Sequence, residues 1–229
     1  MAKILDILQE FLHEIEKNNP YKLIGKGGTI LSLLYLNRHR ESEDLDFDTS
    51  LNGSQHKNIE AYLISVLENL KGKGLIKSYS KGKSGLAATN RYHLNIVLET
   101  HKTYRTKIDV DFVEPSKAIK KKGELFYYSI ERLFIGKLIA FIERKEFKDI
   151  YDVAYMIPKL NLKIFSHNPN VAKLIEDAVK IIETWDIATL YKKAFRNVDL
   201  RFKSLKESQI ENFVEKLTRN LRVVKNTMR

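Results

Sequence analysis

Two short segments of the sequence carry pairs of aspartates that alternate with apolar residues. The first is Asp44-Leu45-Asp46 and the second is Asp109-Val110-Asp111. A period of two is typical of a β-strand, in which side chains at i and i+2 point to the same face. Carboxylate oxygens are the ligands that hard divalent cations prefer. Each segment is therefore a candidate set of metal ligands, although a solvated acidic strand explains either one taken alone.

The two acidic segments favour a shared cation if their strands are neighbours. Like charges held side by side repel and raise one another's pKa values, and a divalent ion between them removes that cost. Asp48 extends the first acidic face by one more position. Carboxylates on two strands of one small sheet are a donor set for phosphoryl or nucleotidyl transfer with two metal ions.

A glycine-rich turn precedes the first acidic segment. Gly25-Lys26-Gly27-Gly28-Thr29 follows a short apolar run and leads into a helical pattern that begins at Ile30. Glycines lack Cβ atoms, so backbone N–H groups at the start of a helix can approach a phosphate closely. The spacing matches neither a Walker loop nor a dinucleotide-binding fingerprint, and a simple turn before a helix remains the alternative.

The elements that must position these residues are predicted by the periodicity of the first half of the chain. Helical spacing occurs at residues 1–18 and 54–70. Strand patterns occur at residues 21–25, 44–48, 75–80, 92–99 and 106–113, with a Gly/Ser/Lys loop after the third and a hairpin turn near 99–104. We therefore expect an α/β (α+β) domain with a mixed β-sheet over residues 1–125.

Beyond Pro115 the pattern changes to helical periods. A lysine-rich link at residues 117–123 precedes this part, and it contains no convincing strand. Helices are predicted at residues 130–143, 149–160, 170–185, 187–195 and 207–224. The second half is therefore expected to be an all-α helical bundle domain over residues 126–229.

The ordered motifs resemble the AbiEii/AbiGii-type nucleotidyltransferase toxins. Gly27-Gly28-Thr29 and residues 40–47, Arg-Glu-Ser-Glu-Asp-Leu-Asp-Phe, are similar to that family's Gly-Gly-Thr and Arg-x-Ser-x-Asp-hydrophobic-Asp signature. Residues 130–138 and Lys148-Asp149-Ile150-Tyr151-Asp152 are similar to its helical lysine element and its Lys/Arg-Asp-x-Tyr-Asp motif. The resemblance covers residues 20–160 in the family's order.

The resemblance implies a metal site made by three carboxylates. Asp44, Asp46 and Asp109 would ligate Mg²⁺, which bridges nucleotide phosphates and lowers the pKa of the attacking hydroxyl. The third-carboxylate strand often carries a single acid in the family, whereas here Asp111 also qualifies. We favour Asp109 because Lys107-Ile108 precedes it as in the family pattern.

The resemblance also implies which residues hold the nucleotide. Those expected to bind its triphosphate are Gly27, Gly28, Thr29 and Ser42. Lys137 would neutralise charge on the triphosphate or on the leaving pyrophosphate, and a salt-bridged interdomain lysine is the alternative. Asp149 would be an active-site residue in the interdomain cleft, although the sequence alone predicts an ordinary carboxylate at a helix start.

These expectations combine into a function. The resemblance implies a toxin of a toxin–antitoxin or abortive-infection system that transfers NMP from an NTP to an acceptor, with the tRNA 3′ end expected, and that a cognate antitoxin protein restrains. A two-metal nuclease would use the same acidic strands without a glycine turn aimed at a triphosphate. A non-catalytic RNA-binding module is the third alternative. No short motif specifies the NTP, the acceptor or the oligomeric state.

Composition sets limits on partners and compartment. The 229 residues contain 40 Lys plus Arg against 29 Asp plus Glu, a net charge of +11 that fits a polyanionic partner such as RNA. Eight of these cations lie at residues 201–229 against three glutamates, where a solvated helix face explains them as well as RNA does. Cysteine is absent and no apolar run is long enough for a membrane span. We expect a cytoplasmic protein with no membrane partner.

Overall fold

A mixed β-sheet organises the first half of the chain. The computed structural model describes residues 4–81, 91–97, 103–186, 188–189 and 207–228. Its strands are β1 (Ile24–Lys26), β2 (Leu45–Thr49), β3 (Ser78–Lys81), β4 (Arg91–Val97), β5 (Thr103–Phe112), β6 (Ile119–Lys122) and β7 (Leu125–Tyr128). They follow the order β3-β4-β5-β2-β1-β7-β6, in which β2 pairs with β5 and β1 with β7 in parallel. The other neighbours are antiparallel, and the predicted mixed sheet is confirmed.

The helices follow the predicted periods closely. They are α1 (Ile4–Lys17), α2 (Gly27–Ile30), α3 (His56–Gly72), α4 (Ile130–Arg144), α5 (Phe147–Met156), α6 (Pro169–Glu183) and α7 (Glu207–Thr227). A π-helical turn, Leu31–Tyr35, continues α2, and 3₁₀ turns form at Gly53–Gln55, Ile157–Lys159 and Leu162–Phe165. The helix predicted at residues 187–195, the loop after β3 and the hairpin turn near 99–104 lie wholly or largely outside the described residues.

The sheet separates an apolar face from an acidic one. Leu45 pairs in register with Ile108, and Phe47 with Val110, and all four side chains are buried on the same face. The intervening residues point the other way, because successive side chains of a strand alternate between faces. Asp46 is therefore the register partner of Asp109, and Asp48 that of Asp111. The period of two in the sequence comes from this division of faces.

Strands β6 and β7 contradict the expectation that no strand follows Pro115. The four residues of β7 bury Leu125 and Tyr128 and half-bury the two between them, so burial does not alternate and no period of two is visible. The residues of β6 are all exposed and three of its four are lysines. Lysine is depleted from strands in general but suits an edge strand, where charge prevents pairing with another chain.

Backbone contacts divide the chain into two compact units. Unit 1 comprises Met1–Tyr35 and Ser42–Ser129, and unit 2 comprises Leu36–Glu41 and Ile130–Arg229. In unit 1, α1 packs on α3 and on β7. Asn19 fixes the entry to β1, because its side chain exchanges hydrogen bonds of 2.9 Å with the backbone of Leu23 and donates to the Glu124 carbonyl at 3.1 Å.

Unit 2 is helical throughout its described elements. Helix α4 packs on α5 and α6, and α6 packs on α7. Its core is rich in phenylalanine, with Phe134, Phe141 and Phe147 fully buried. Asn168 caps α6 by accepting a hydrogen bond from the Val171 N–H at 3.2 Å. No helix within the described ranges is long and apolar enough to cross a membrane.

A buried carboxylate on helix α1 predicts that the stability of the folded protein decreases in acid. Glu14 is 9% exposed and accepts hydrogen bonds from Lys17 at 2.6 Å and Lys73 at 2.5 Å. These bonds lower its pKa from 4.5 to about 2. A carboxyl group whose pKa is lowered in the folded state stabilises that state at pH values above the pKa of the unfolded chain. This stabilisation is lost as the pH falls through 4.5 towards about 2.

We therefore expect Glu14→Gln to lower the free energy of unfolding at pH 7 by about 1 kcal/mol, a modest value because both lysines are largely solvated. The difference from the wild type should vanish near pH 2. Urea unfolding at several pH values measures it. Glu10→Gln removes a carboxylate from the same helix but leaves the hydrogen bonds of Glu14 in place, and it is the matched control. An effect of Glu14→Gln that persists undiminished at pH 2 would contradict the ion-pair origin.

Candidate active site

The glycine turn brings the backbone directly against a strand aspartate. Gly27 follows β1 with a φ of +78°, a left-handed conformation that favours glycine. A Cβ atom on Gly27 would lie 2.0 Å from the Asp46 Oδ2 atom. Lys26, just before it, is the antiparallel register partner of Asp46. The turn therefore needs glycine both for its φ angle and for the space that the Asp46 carboxylate occupies.

Helix α2 ties the turn to the start of β2. The Thr29 side chain is fully buried, and its hydroxyl donates to the Asp44 carbonyl at 2.5 Å. Asp44 Oδ1 accepts from the Lys107 N–H at 3.2 Å, and the Thr106 hydroxyl donates to the Glu43 carbonyl. The beginning of the acidic strand is thus fixed from the glycine turn on one side and from β5 on the other. Gly28 is buried within α2.

Two pairs of aspartates face each other across β2 and β5. Asp46 lies opposite Asp109, and Asp48 lies opposite Asp111, in a parallel register. Neighbouring strands are separated by about 4.8 Å, so each pair places its carboxylates within reach of one cation. The structure thus places Asp46 in register with Asp109, and Asp44 lies two residues before Asp46. Ser42 lies half-buried two residues before Asp44.

A lysine side chain lies between the two carboxylates of the second aspartate pair, Asp48 and Asp111. Lys26 Nζ lies 2.5 Å from Asp48 Oδ1 and 2.6 Å from Asp111 Oδ2. The other oxygen of Asp48 accepts a hydrogen bond from the Tyr128 hydroxyl at 2.6 Å. Burial acts to lower the pKa of Lys26, but hydrogen bonds to Asp111 and Asp48 outweigh it and raise that pKa. Asp111, one of the two candidates for a third metal ligand, is therefore paired with Lys26.

A separate cluster of charges lies in unit 2 around Asp152. This side chain is fully buried and binds the Arg40 guanidinium in a bidentate manner, at 2.5 Å to Nε and 2.7 Å to Nη2. Lys137 Nζ lies 2.8 Å from the same carboxylate, and His39 Nε2 lies 2.8 Å from it. A carboxylate only accepts hydrogen bonds, so His39 Nε2 carries the proton.

Lys137 joins Asp152 to a second buried aspartate. Asp149 is fully buried on α5; its Oδ1 lies 3.1 Å from Lys137 Nζ. Arg144 binds Asp149 with two hydrogen bonds of 2.7 Å. Three cations and two carboxylates thus form one network in which Lys137 lies between the aspartates. The ordinary helix-start carboxylate that the sequence alone predicts at Asp149 does not describe this environment.

The electrostatics keep both carboxylates of the network ionised. Burial acts to raise the pKa of Asp152, but Lys137 and Arg40 outweigh it and hold that pKa far below its ordinary value. The pKa of Asp149 is also lowered, because Arg144 and Lys137 outweigh its burial. Burial lowers the pKa of His39, so its ring is neutral at pH 7. Each buried negative charge is balanced by hydrogen-bonded cations, as burial of a charge requires.

The sequence patterns predict no role for several residues of the aspartate pairs in unit 1 and of the charge network in unit 2. Lys26 belongs to the glycine motif. Arg40 and Asp152 belong to the motifs that carry the family resemblance, which imply no function for them. Their position at fixed offsets within those motifs was the available signal. His39 carried no such signal, because it contacts Asp152 only through the fold.

Comparison with known proteins identifies the family. The family described as "Nucleotidyl transferase AbiEii toxin, Type IV TA system" matches residues 21–223. The chain belongs to this family. The resemblance inferred from the motifs is thereby confirmed, and the AbiEii-family chain is a nucleotidyltransferase. Membership implies an NTP substrate, a divalent metal and an antitoxin partner.

Solved structures agree with this assignment at the level of the fold. A crystal structure of a proposed nucleotidyltransferase from Helicobacter pylori is 18% identical, with a TM-score of 0.72, and the match covers 100% of this chain and 97% of that one. JHP933 from Helicobacter pylori is 17% identical, with a TM-score of 0.70 and coverage of 100% and 94%. No functionally curated protein matches significantly.

The donor set of the acidic face fits a hard divalent cation. Within the described residues, no three acidic or histidine side chains are gathered as a complete metal cage. Mg²⁺ commonly uses only one or two protein carboxylates and takes its other ligands from water and substrate phosphates. Asp46 and Asp109, in register beside the glycine turn, supply two such carboxylates.

The close approach of Gly27 to Asp46 predicts a sharp substitution effect. Gly27→Ala should abolish nucleotidyl transfer by the AbiEii-family chain, because the methyl group displaces the Asp46 carboxylate. Gly74→Ala is the matched control, since Gly74 has a φ of +71° but open space around it. Both should lose about 1–2 kcal/mol of stability from the left-handed backbone. Equal activity in the two variants would show that the close approach of Gly27 to Asp46 is not needed.

Proposed function

We propose that this protein transfers NMP from an NTP to an RNA acceptor in a Mg²⁺-dependent reaction, with the tRNA 3′ end as the acceptor. The observation that carries the proposal is the register pairing of Asp46 with Asp109, directly beside the Gly27 turn. A metal-ligating carboxylate pair next to a glycine turn, whose backbone N–H groups are not shielded by Cβ atoms, is suited to a triphosphate. The family supplies the NTP and the antitoxin as partners.

Asp44, Asp46 and Asp109 are proposed as the metal ligands. When bound, Mg²⁺ would supply charge neutralisation at the phosphates and would activate the acceptor hydroxyl. Asp46 is held by its strand and by the close packing of Gly27, and Asp44 by hydrogen bonds to β5 and α2. Because these supports belong to the fold itself, the carboxylates are positioned before the substrate arrives.

The residues of the turn are proposed to hold the triphosphate. Backbone N–H groups near Gly27 and Gly28 can approach phosphate oxygens, since no Cβ stands in the way. The Thr29 hydroxyl donates to the Asp44 carbonyl, so we assign it to positioning the acidic strand as well as to the nucleotide site. Ser42 is proposed to add a hydroxyl on the same segment.

Lys137 and Asp149 are proposed to act as part of the charge network of unit 2. The network contains Arg40, Lys137 and Arg144 against Asp149 and Asp152, which leaves one surplus positive charge with His39 neutral. Arg144 is 46% exposed, so solvent and an anionic substrate can reach it. In this proposal Lys137 holds the two aspartates together, and the surplus charge favours the triphosphate or the leaving pyrophosphate.

Unit 2 is proposed to be an all-α bundle domain that also contacts RNA. Of the basic residues on α7, Arg222 pairs with Glu183 and Lys225 lies 2.8 Å from Glu176, both on α6. Those two cations fasten α7 to α6. Lys216 and Arg219 remain exposed on α7, and we propose that they contact RNA phosphates. The lack of cysteine fits a reducing compartment, and we propose the cytoplasm.

The metal-dependent reaction predicts a selective loss in Asp46→Asn. The variant should keep its unfolding midpoint while its NMP transfer falls by at least about 10³-fold, because a neutral amide replaces a metal-ligating charge. Incubation of purified protein with labelled NTPs and total RNA, with Mg²⁺ or with chelator, measures transfer. Asp177→Asn on α6 is the control and should transfer normally. RNA shortened instead of lengthened would indicate a nuclease.

The exposed cations of α7 predict a change in the salt dependence of RNA binding. Lys216→Glu combined with Arg219→Glu should weaken RNA binding and reduce the log–log salt slope by about 1 for each RNA phosphate that the variant no longer neutralises. NTP affinity should stay unchanged. Lys159→Glu combined with Lys163→Glu makes the same change in net charge elsewhere in unit 2 and is the matched control. Identical salt slopes for both variants would show that this face of α7 is merely solvated.

A further inference from the structure

The outer edge of the sheet in unit 1 carries a concentration of positive charge. Strand β6 is the last strand in the sheet order and pairs with β7. Three of its four residues are lysines, Lys120, Lys121 and Lys122, and all four residues are exposed. Lys117 lies three residues before Lys120 and is also exposed. We call these four lysines the lysine edge.

Two lysines of this edge keep their full charge. Lys120 Nζ lies 5.5 Å from the centroid of the Tyr35 ring, and Tyr35 packs edge-on against Tyr127 with 5.9 Å between the ring centroids. An aromatic ring attracts an ammonium group without neutralising it, as a carboxylate would. Within the part of the chain that the structure describes, neither Lys117 nor Lys120 contacts a carboxylate.

The other two lysines form exposed ion pairs. Lys121 Nζ lies 2.9 Å from Glu124 Oε1 and 5.1 Å from the centroid of the Phe126 ring. Lys122 Nζ lies 3.0 Å from Glu16 Oε2. Exposed ion pairs are screened by water and salt, so their partners exchange readily. The four lysines face two glutamates, which leaves an excess of two positive charges.

The chemistry of this edge fits an RNA strand better than a protein strand. Lysines along an edge strand oppose its pairing with a strand of another chain. Lysines with aromatic rings beside them are instead typical of surfaces that bind single-stranded nucleic acids. In the sheet order, β6 lies three strand spacings from β2, or about 14 Å. RNA held at this edge is therefore bound to the same sheet that carries the acidic face.

We propose that the lysine edge binds phosphate groups of the RNA acceptor. The inference rests on the proposed function, which supplies the RNA, and it adds a binding surface in unit 1 to the one proposed on α7 in unit 2. Lys117 and Lys120 contribute most, because neither has to give up a carboxylate in order to bind a phosphate. The other two lysines exchange their glutamates for phosphates when RNA binds.

The test is RNA binding in chelator without NTP, so that no transfer takes place. Fluorescence anisotropy of labelled tRNA and of a single-stranded oligoribonucleotide gives the dissociation constant at several salt concentrations. Lys117→Glu combined with Lys120→Glu should raise this constant at least about tenfold at 0.1 M salt and reduce the log–log salt slope by about 1.5, for two lost phosphate contacts. Lys57→Glu combined with Lys71→Glu, at exposed positions of α3, makes the same change in net charge and should change both quantities far less.

Glutamate at these positions also separates RNA binding from protection of the edge. Charge of either sign opposes strand pairing, so the Glu variant should keep the elution volume of the wild type in size-exclusion chromatography. Lys117→Gln combined with Lys120→Gln covers the case in which glutamate weakens β6, and it should show the same loss of slope with a smaller loss of affinity. Folded variants that bind both RNAs with wild-type affinity and slope would overturn the inference, because the lysines would then only protect the edge.

The outcomes separate this inference from the function on which it rests. A wild type that binds neither tRNA nor the oligoribonucleotide would overturn the RNA acceptor and the inference with it. Salt-dependent binding by the wild type that persists unchanged in the Glu and Gln variants would overturn the inference alone. Binding that is weakened in both lysine-edge variants and kept in the α3 control would support it.

Discussion

The parallel register of β2 and β5 is the constraint on which the rest of the acidic face depends. It places apolar side chains opposite apolar ones on the core face, with Leu45 against Ile108 and Phe47 against Val110. The same register necessarily places aspartate opposite aspartate on the other face. A shift by one residue would bury these carboxylates in the core, because every side chain would change face. Core packing thus enforces a repulsive arrangement that cations must stabilise, and the fold and the proposed chemistry share one cause.

The two units solve the problem of buried negative charge in different ways. In unit 2, Asp149 and Asp152 are fully buried. Arginine and lysine side chains meet each carboxylate at hydrogen-bond distance, and His39 also meets Asp152. Removing one partner of such a network typically costs about 3–5 kcal/mol, because a buried charge is left unpaired. In unit 1, Lys26 lies at hydrogen-bond distance from Asp48 and Asp111. The network of unit 2 is a fixed set of buried ion pairs, whereas in our proposal the Asp46–Asp109 pair of unit 1 receives an added cation.

Periodicity predicted most of the elements and much of the candidate site. The alternation around Asp46 and Asp109 indicated strands with a common acidic face, because one side of each strand is buried and the other is not. Strand β7 could not be predicted in this way, since its burial does not alternate along the strand and its four residues are too few to show a period. The pairing of β2 with β5 was equally hidden, because register is decided by contacts between residues more than 60 positions apart. The partners of Lys137 are close in sequence, on the next helix α5, but their contact depends on how α4 packs against α5, which periodicity does not show.

The glycine turn shows why motif and geometry have to be considered together. As a string of letters, Gly25-Lys26-Gly27-Gly28-Thr29 suggests a turn whose backbone N–H groups can approach a phosphate. In the fold the Lys26 side chain contacts Asp48 and Asp111, and Gly27 makes room for Asp46. The turn therefore organises the acidic face in two ways, by charge and by space. A substitution at Lys26 or Gly27 would therefore act on the carboxylates as well as on the proposed phosphate contacts of the turn.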